Sequence, residues 1–190
     1  MERELNWKEV SSTQLFKDKW IDVCSNTYEK QDGSLITPFY IYKFPDFATA
    51  VALTKDNKVI LERIYRPGIG KTCIELPGGC VDKSDPSLEA ALARELLEET
   101  GYRFEKIEYL GEISPNPTTN TNMMRMFLAT GGEFDPTQEL DIAEDVDVFL
   151  VSLKEFMQMF DDNKFVQAMQ LSTIFFALKK MGQLKLDLNF

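Results

Sequence analysis

The chain predicts an α/β fold, a mixed sheet flanked by helices and preceded by an N-terminal β segment. Three features of the sequence predict it. Runs rich in aromatic and β-branched residues fill the first 44 positions and recur on both sides of a single capped helical stretch. That stretch, DPSLEAALARELLEETG, has helix formers between a start signal at Asp85-Pro86 and a stop at Gly101. Two further segments with helical periodicity close the chain.

Composition narrows the function classes. A chain of 190 residues makes one domain of ordinary size with a small appendage. At this size roughly 70% of the unfolded surface is buried on folding. A formal net charge of −10 argues against a nucleic-acid partner, because a phosphate backbone is met by a basic face. No stretch approaches the roughly 20 apolar residues of a membrane span, and MERELNWKEV lacks an apolar signal core, so a cytoplasmic protein is expected. Cys24, Cys73 and Cys80, odd in number and widely spaced, read as reduced thiols. Histidine is absent, which excludes His-based nucleophilic triads and His-ligated zinc. Acid–base chemistry is left to carboxylates, Lys, Tyr or metal-bound water.

In chain order, Trp20–Tyr28 and Ile36–Phe44 predict two strands about a Gln31-Asp32-Gly33-Ser34 turn, a pair that needs packing partners. Ala48–Thr54 and Lys58–Tyr65 predict a hairpin about Lys55-Asp56-Asn57. Thr72–Leu76 adds a strand leading into Pro77-Gly78-Gly79. Between them Arg63 and Arg66 flank a turn. They read either as exposed surface arginines or as planar donors for phosphate or ribose oxygens. After the capped helix, Lys106–Ser114 and Met123–Thr130 predict strands around the polar loop 115–122. The acidic run Glu139–Asp147 reads as a solvated loop ahead of a strand at Val148–Val151. Ser152 and Glu155 form a capping box that opens a helix through Phe160. Lys164–Met181 predicts a second helix with a Met and Phe stripe for the core, and the alternating tail from Leu184 predicts an edge strand.

The capped helix holds the chemistry. Glu95, Glu98 and Glu99 stand at i, i+3 and i+4 on one face, with Ala90, Ala93 and Leu97 opposite. Three such carboxylates repel one another, and a hard divalent ion turns that cost into a site. The competing reading is a solvated acidic face with Arg94 bridging to Glu98. Gly78 and Gly79 in front allow a close backbone approach, so that a carbonyl there can join the carboxylates.

At these residues the chain resembles the Nudix hydrolases, whose signature is G-x5-E-x7-R-E-U-x-E-E-x-G-U. Arg94-Glu95-Leu96-Leu97-Glu98-Glu99-Thr100-Gly101-Tyr102 fills its second half, and Pro77-Gly78-Gly79 supplies the glycine end. The first Glu of the signature is replaced: Asp85 stands six residues after Gly79, and eight residues separate it from Arg94. The family uses that Glu to steady the loop through the motif Arg, a task open here to Asp85 or Glu89.

The resemblance implies an α/β/α sandwich over residues 46–190, preceded by a segment over 1–45 that makes a homodimer, as in the nucleoside-diphosphate-sugar branch. It implies Mg²⁺ or Mn²⁺ held by Glu95, Glu98 and Glu99 with a Gly78 or Gly79 carbonyl. A proton acceptor is expected at Glu144 or a motif Glu, with Glu139 and Asp141 in reserve, and Arg94 joins Glu98 and Glu144 as a catalytic candidate. Arg63, Arg66, Glu75 and Pro117 are substrate-side candidates by similarity to ADP-ribose pyrophosphatases. Thr118-Thr119-Asn120 departs from the continuation usual after that proline, which leaves the terminal sugar open.

The expected reaction is hydrolysis of the pyrophosphate in a nucleoside diphosphate linked to another moiety, with ADP-ribose yielding AMP and ribose 5-phosphate. Nucleoside triphosphates, dinucleoside polyphosphates, a non-cleaving nucleotide-sugar sensor and a plain metal-binding module are the alternatives.

Overall fold

A computed structural model describes residues 4–136 and 145–184. Over that range the chain forms two compact units. One comprises residues 4–45 with Ser114–Met123, and the other comprises Asp46–Ile113 with residues 124–136 and 145–184.

The first unit is an antiparallel sheet of β1 (Lys8–Lys17), β2 (Asp22–Glu29) and β3 (Leu35–Lys43), in that order. The first turn is tied by Asp18, whose carboxylate accepts from the Trp20 and Ile21 amides at 2.7 and 2.9 Å. In the second, Asp32 accepts from Ser34 N and Gly33 takes a left-handed φ of 79°. The stretch Ser114–Met123 joins this sheet through Tyr42, whose N–H donates to Thr119 O and whose carbonyl accepts from Thr121 N. Strand β1 was not expected from the sequence. All ten of its residues are exposed, so it carries none of the in–out alternation by which a half-buried strand is read.

The second unit is a seven-stranded mixed sheet. Strand β4 (Phe47–Thr54) runs parallel to β9 (Met124–Phe134) and antiparallel to β5 (Lys58–Arg66). β5 pairs in turn with β6 (Lys71–Glu75) and β10 (Val146–Ser152), while β9 also pairs with β7 (Tyr102–Arg103) and β8 (Lys106–Ile113). The predicted β4–β5 hairpin is present, with Asn57 at φ 59° and the Thr54 hydroxyl accepting from Lys58 N.

Helices cover both faces of this sheet, giving the α/β/α sandwich. On one side Val51, Leu53, Val59, Leu61 and Leu128 meet α2 (Leu153–Asp161) and α3 (Ala168–Lys180) through Phe156, Ile174, Ala177 and Leu178. On the other, Ala48, Ala50, Ala52, Ile60, Phe127 and Ala129 meet α1 (Leu88–Thr100) through Leu92 and Leu96. The small residues that bring helix and sheet close together therefore lie on β4. The helix contributes the two leucines, worth about 1.5–3 kcal/mol each on burial, whereas Ala93, one of the residues the helical spacing sets opposite the glutamates, is exposed.

Two helix boundaries differ from expectation. α1 starts later than Asp85-Pro86: Ser87 is the N-cap, its hydroxyl accepting from Ala90 N at 3.1 Å, because the Asp85 carboxylate is engaged elsewhere. Gly101 ends it as predicted, left-handed at φ 75°, with its N–H on Leu97 O. α3 starts at Ala168 rather than Lys164, since Phe165 turns into the core against Phe156 and Gln167 is extended. The capping box of α2 is formed. The expected edge strand after Leu184 lies outside the described residues.

Candidate active site

The glycine turn between β6 and α1 is stitched to the start of β4 along its length. Pro77 O accepts from Ala50 N and from the Thr49 hydroxyl, Gly79 O from Ala48 N, and Val81 N donates to Asp46 O, all within 3.2 Å. Gly78 has a φ of 140°, and a Cβ there would lie 2.2 Å from Ala48 O. No other residue type fits against β4 at this point. Gly79 faces the helix instead, where a Cβ would stand 2.3 Å from Glu95 Oε2.

The three glutamates of α1 meet this turn and Arg94. Gly78 N donates to Glu99 Oε2 at 2.8 Å. Arg94 Nη1 donates to Glu95 Oε1 at 2.9 Å and to Glu98 Oε2 at 3.0 Å. Its other edge donates to both oxygens of Asp85, from Nε at 3.2 Å and Nη2 at 3.1 Å, and Nη2 also reaches Cys80 O. Asp85, not Glu89, thus meets the motif arginine, one carboxylate on the plane of one guanidinium. The Arg94–Glu98 bridge of the competing reading is present too, so Arg94 serves as a cationic clamp for the acidic face.

Charge follows this geometry. Asp85, then Glu95, pushes the Arg94 guanidinium well above its ordinary value. Arg94 in turn holds the Asp85 carboxyl below its ordinary 3.8. A depressed carboxylate contributes stability above its unfolded value and loses it as pH falls through its folded value. The Asp85–Arg94 tie is therefore intact at neutral pH and fails only below the ordinary 3.8. Asp85→Asn is expected to remove that acid-limb component from urea midpoints measured between pH 3 and 7. It is also expected to lower turnover by roughly tenfold, since Arg94 then holds Glu95 and Glu98 less firmly.

The donor set suits a hard divalent cation: three carboxylates on one helix face and a glycine turn close enough to touch two of them. Among the described residues, no three acidic or thiol side chains stand close enough as placed to share one ion. The Arg94 guanidinium lies between Glu95 and Glu98.

The two arginines of the β5 end part company. Arg63 donates to Asp147 Oδ2 at 2.6 Å and lies over the Phe149 ring at 4.0 Å, both on β10. Arg66 donates from Nε and Nη2 to the two oxygens of Glu75 at 2.8 and 2.9 Å, and this pairing raises its pKa. Glu75 is 2% exposed. With Pro67, Gly68, Ile69, Cys73, Val166 and Gln167, this pair lines a cavity of about 310 Å³. Glu99 is close enough for its charge to act on Arg66. Pro117 sits in the other unit, in the stretch that pairs with β3. Glu139, Asp141 and Glu144 lie outside the described residues. Gln170 went unnoticed in the sequence: from α3 it donates to Glu75 and accepts from Leu76 N. The available signal was one amide within an apolar helical stripe.

Comparison with known proteins agrees with this geometry. The NUDIX domain model matches residues 44–169. The chain is 28% identical over 167 residues to the ADP-ribose pyrophosphatase of Bacillus subtilis, covering 87% of this chain and 89% of that one. It is 28% identical over 178 residues to the methanol dehydrogenase activator of Bacillus methanolicus, covering 90% and 95%. The fold matches a crystal structure of an ADP compounds hydrolase with a TM-score of 0.80 at 21% identity, over 96% of this chain and 100% of that one. A glycine turn against an acid-faced helix, a central guanidinium clamp and a match spanning most of the sheet all lead to one family, and the chain belongs to the NUDIX pyrophosphohydrolases.

Proposed function

We propose that the protein hydrolyses the pyrophosphate of an ADP-sugar, with ADP-ribose converted to AMP and ribose 5-phosphate in the presence of Mg²⁺ or Mn²⁺. The observation that carries this reading is the meeting of Glu95 and Glu99 with Gly78-Gly79, near the Arg66–Glu75 pair. Similarity to the Bacillus subtilis ADP-ribose pyrophosphatase supports the substrate class.

Glu95, Glu98 and Glu99, with a Gly78 or Gly79 carbonyl, would hold the divalent ion. Bound there, it supplies charge neutralisation for the diphosphate and lowers the pKa of a water. The remaining work belongs to the chain. Arg66, at the end of β5, and Arg63, three residues earlier on the same strand, offer planar donors to phosphate or ribose oxygens. Arg94 keeps Glu95 and Glu98 from splaying apart. A carboxylate, Glu98 or Glu144, accepts the proton of the attacking water as phosphorus is approached in line. Pro117 and the loop around it are assigned to selection of the terminal group.

Product analysis across ADP-ribose, other nucleotide sugars, nucleoside triphosphates and dinucleoside polyphosphates, with Mg²⁺ and with Mn²⁺, tests the reading. AMP and ribose 5-phosphate in equal amounts support it. Preferential cleavage of triphosphates or dinucleoside polyphosphates, or nucleotide-sugar binding without metal-dependent cleavage, rejects it.

The assembly proposed is a homodimer made by the N-terminal segment over residues 1–45. Strand β1 presents Val10, Leu15 and Phe16, each more than half exposed, and Trp20 stands exposed in the turn that follows. Apolar surface of this kind is commonly covered by a partner. Leu15→Asp with Phe16→Asp is expected to halve the mass found by sedimentation; a monomeric wild type would defeat the idea. A cytoplasmic location is supported by the free thiols of Cys24, Cys73 and Cys80. Among the described residues no helix is long and apolar enough to cross a membrane.

A further inference from the structure

The buried stripe of α3 contains a single amide, Gln170, 5% exposed beside Thr173, Ile174, Ala177 and Leu178. Burying an amide is unfavourable unless both of its ends find partners. Both do, and both partners belong to one short piece of chain. Gln170 Oε1 accepts from Leu76 N at 2.8 Å, and its Nε2 donates to Glu75 Oε2 at 2.8 Å. The orientation of the amide is dictated by these partners, because a backbone N–H only donates and an ionised carboxylate only accepts.

Each of the two bonds leads to a different half of the site. Glu75 spends both oxygens on Arg66, so the amide behind Oε2 helps fix the plane in which the guanidinium is held at the cavity. Leu76 is the last residue before Pro77-Gly78-Gly79, where Gly78 N meets Glu99. A side chain at position 170 must therefore donate and accept at once. Methionine has the length but neither function, and an ionised glutamate lacks the donor and repels Glu75.

We propose that Gln170 is a positioning residue for the hydrolytic reaction, setting Arg66 through Glu75 and the glycine turn through Leu76. The proposal rests on the assignment of Arg66 to the substrate side. Removing the amide frees Glu75 to turn and lets Arg66 leave its place. Arg66 acts on substrate and transition state alike, so the loss falls mainly on KM.

Steady-state kinetics on ADP-ribose with Mg²⁺, alongside melting temperatures, would be measured for Arg66→Lys, Gln170→Met and the double variant. Gln170→Met is expected to raise KM by roughly tenfold with kcat changed by less than about threefold. In the double variant KM should be no higher than in Arg66→Lys, because the KM effect of both changes runs through the Arg66–Glu75 contact. Multiplying effects, or an unaltered KM in Gln170→Met, overturn the proposal. An unaltered KM in Arg66→Lys overturns instead the substrate-side assignment on which it rests.

Should Gln170→Met fail to fold, Gln170→Glu provides the test. The groups facing position 170 are the Glu75 carboxylate and, behind it, the Arg66 guanidinium. Protonated, the new acid donates to Glu75 and accepts from Leu76 N as the amide did. Its KM relative to wild type is expected to approach one near pH 5 and to rise severalfold by pH 8. A ratio that does not change with pH rejects the proposal.

Discussion

Glu99→Gln is expected to lower turnover of ADP-ribose by about 100-fold or more while the protein stays folded. The amide oxygen can still accept from Gly78 N, the bond Glu99 makes at 2.8 Å, so the turn remains closed. What goes is the negative charge. A hydrogen bond to a charged group is worth about 1 kcal/mol more than one to a neutral group, which corresponds to roughly 2–4 °C in melting temperature for a chain of this size. A carboxylate required to bind a cation at the developing charge of the reaction matters far more, by about 10²–10³ in rate. kcat, KM and the Mg²⁺ or Mn²⁺ concentration for half-maximal rate, measured beside a melting curve, separate the two effects. Near-normal turnover at ordinary metal concentrations would remove Glu99 from the metal site.

The second large effect distinguishes two adjacent glycines. At Gly78 an added Cβ meets backbone, 2.2 Å from Ala48 O and 2.7 Å from Thr49 Cα, at a φ of 140° that L side chains rarely adopt. Backbone cannot rotate aside as a side chain can. Relief requires the turn to lift from β4, with loss of the bonds from Ala48 N and Ala50 N. Gly78→Ala is expected to destabilise by about 3 kcal/mol or more, a fall in melting temperature on the order of 10 °C. At Gly79 the added Cβ meets only the Glu95 carboxylate, at 2.3 Å. That side chain can swing away, so Gly79→Ala should melt within a few degrees of wild type yet lose about tenfold or more in turnover. The reverse pattern, stability lost at Gly79 and activity untouched, would take Glu95 out of the chemistry.

The helix and its acidic face were legible because the signals were local. Alanine, leucine and glutamate favour helix at every turn, Gly101 stops it, and the spacing of Glu95, Glu98 and Glu99 fixes their face whatever surrounds them. The hairpin about Asn57 and the capping box at Ser152 were legible for the same reason. Strand β1 was not, since a strand exposed on every residue leaves no periodic trace.

Competition between partners also escaped the sequence. Asp85 has the chemistry of a helix cap, but Arg94 takes its carboxylate and Ser87 caps instead. Arg63 and Arg66 look equivalent along the chain. Only the pairing of β5 with β10 on one edge and β6 on the other gives the first to Asp147 and the second to Glu75.

Sequence alone thus determined the family motif, the three carboxylates on a common face and the glycines that let backbone approach them. These depend on the 3.6-residue turn and on the missing Cβ of glycine, which are properties of the chain itself. Tertiary structure alone decided that β4 supplies the small residues beneath α1, that Asp85 rather than Glu89 takes Arg94, and that Gln170 reaches Glu75 and Leu76 from 95 and 94 residues away. Such contacts are selected by which buried polar groups would otherwise go without a partner, and that is settled only when distant segments are brought together.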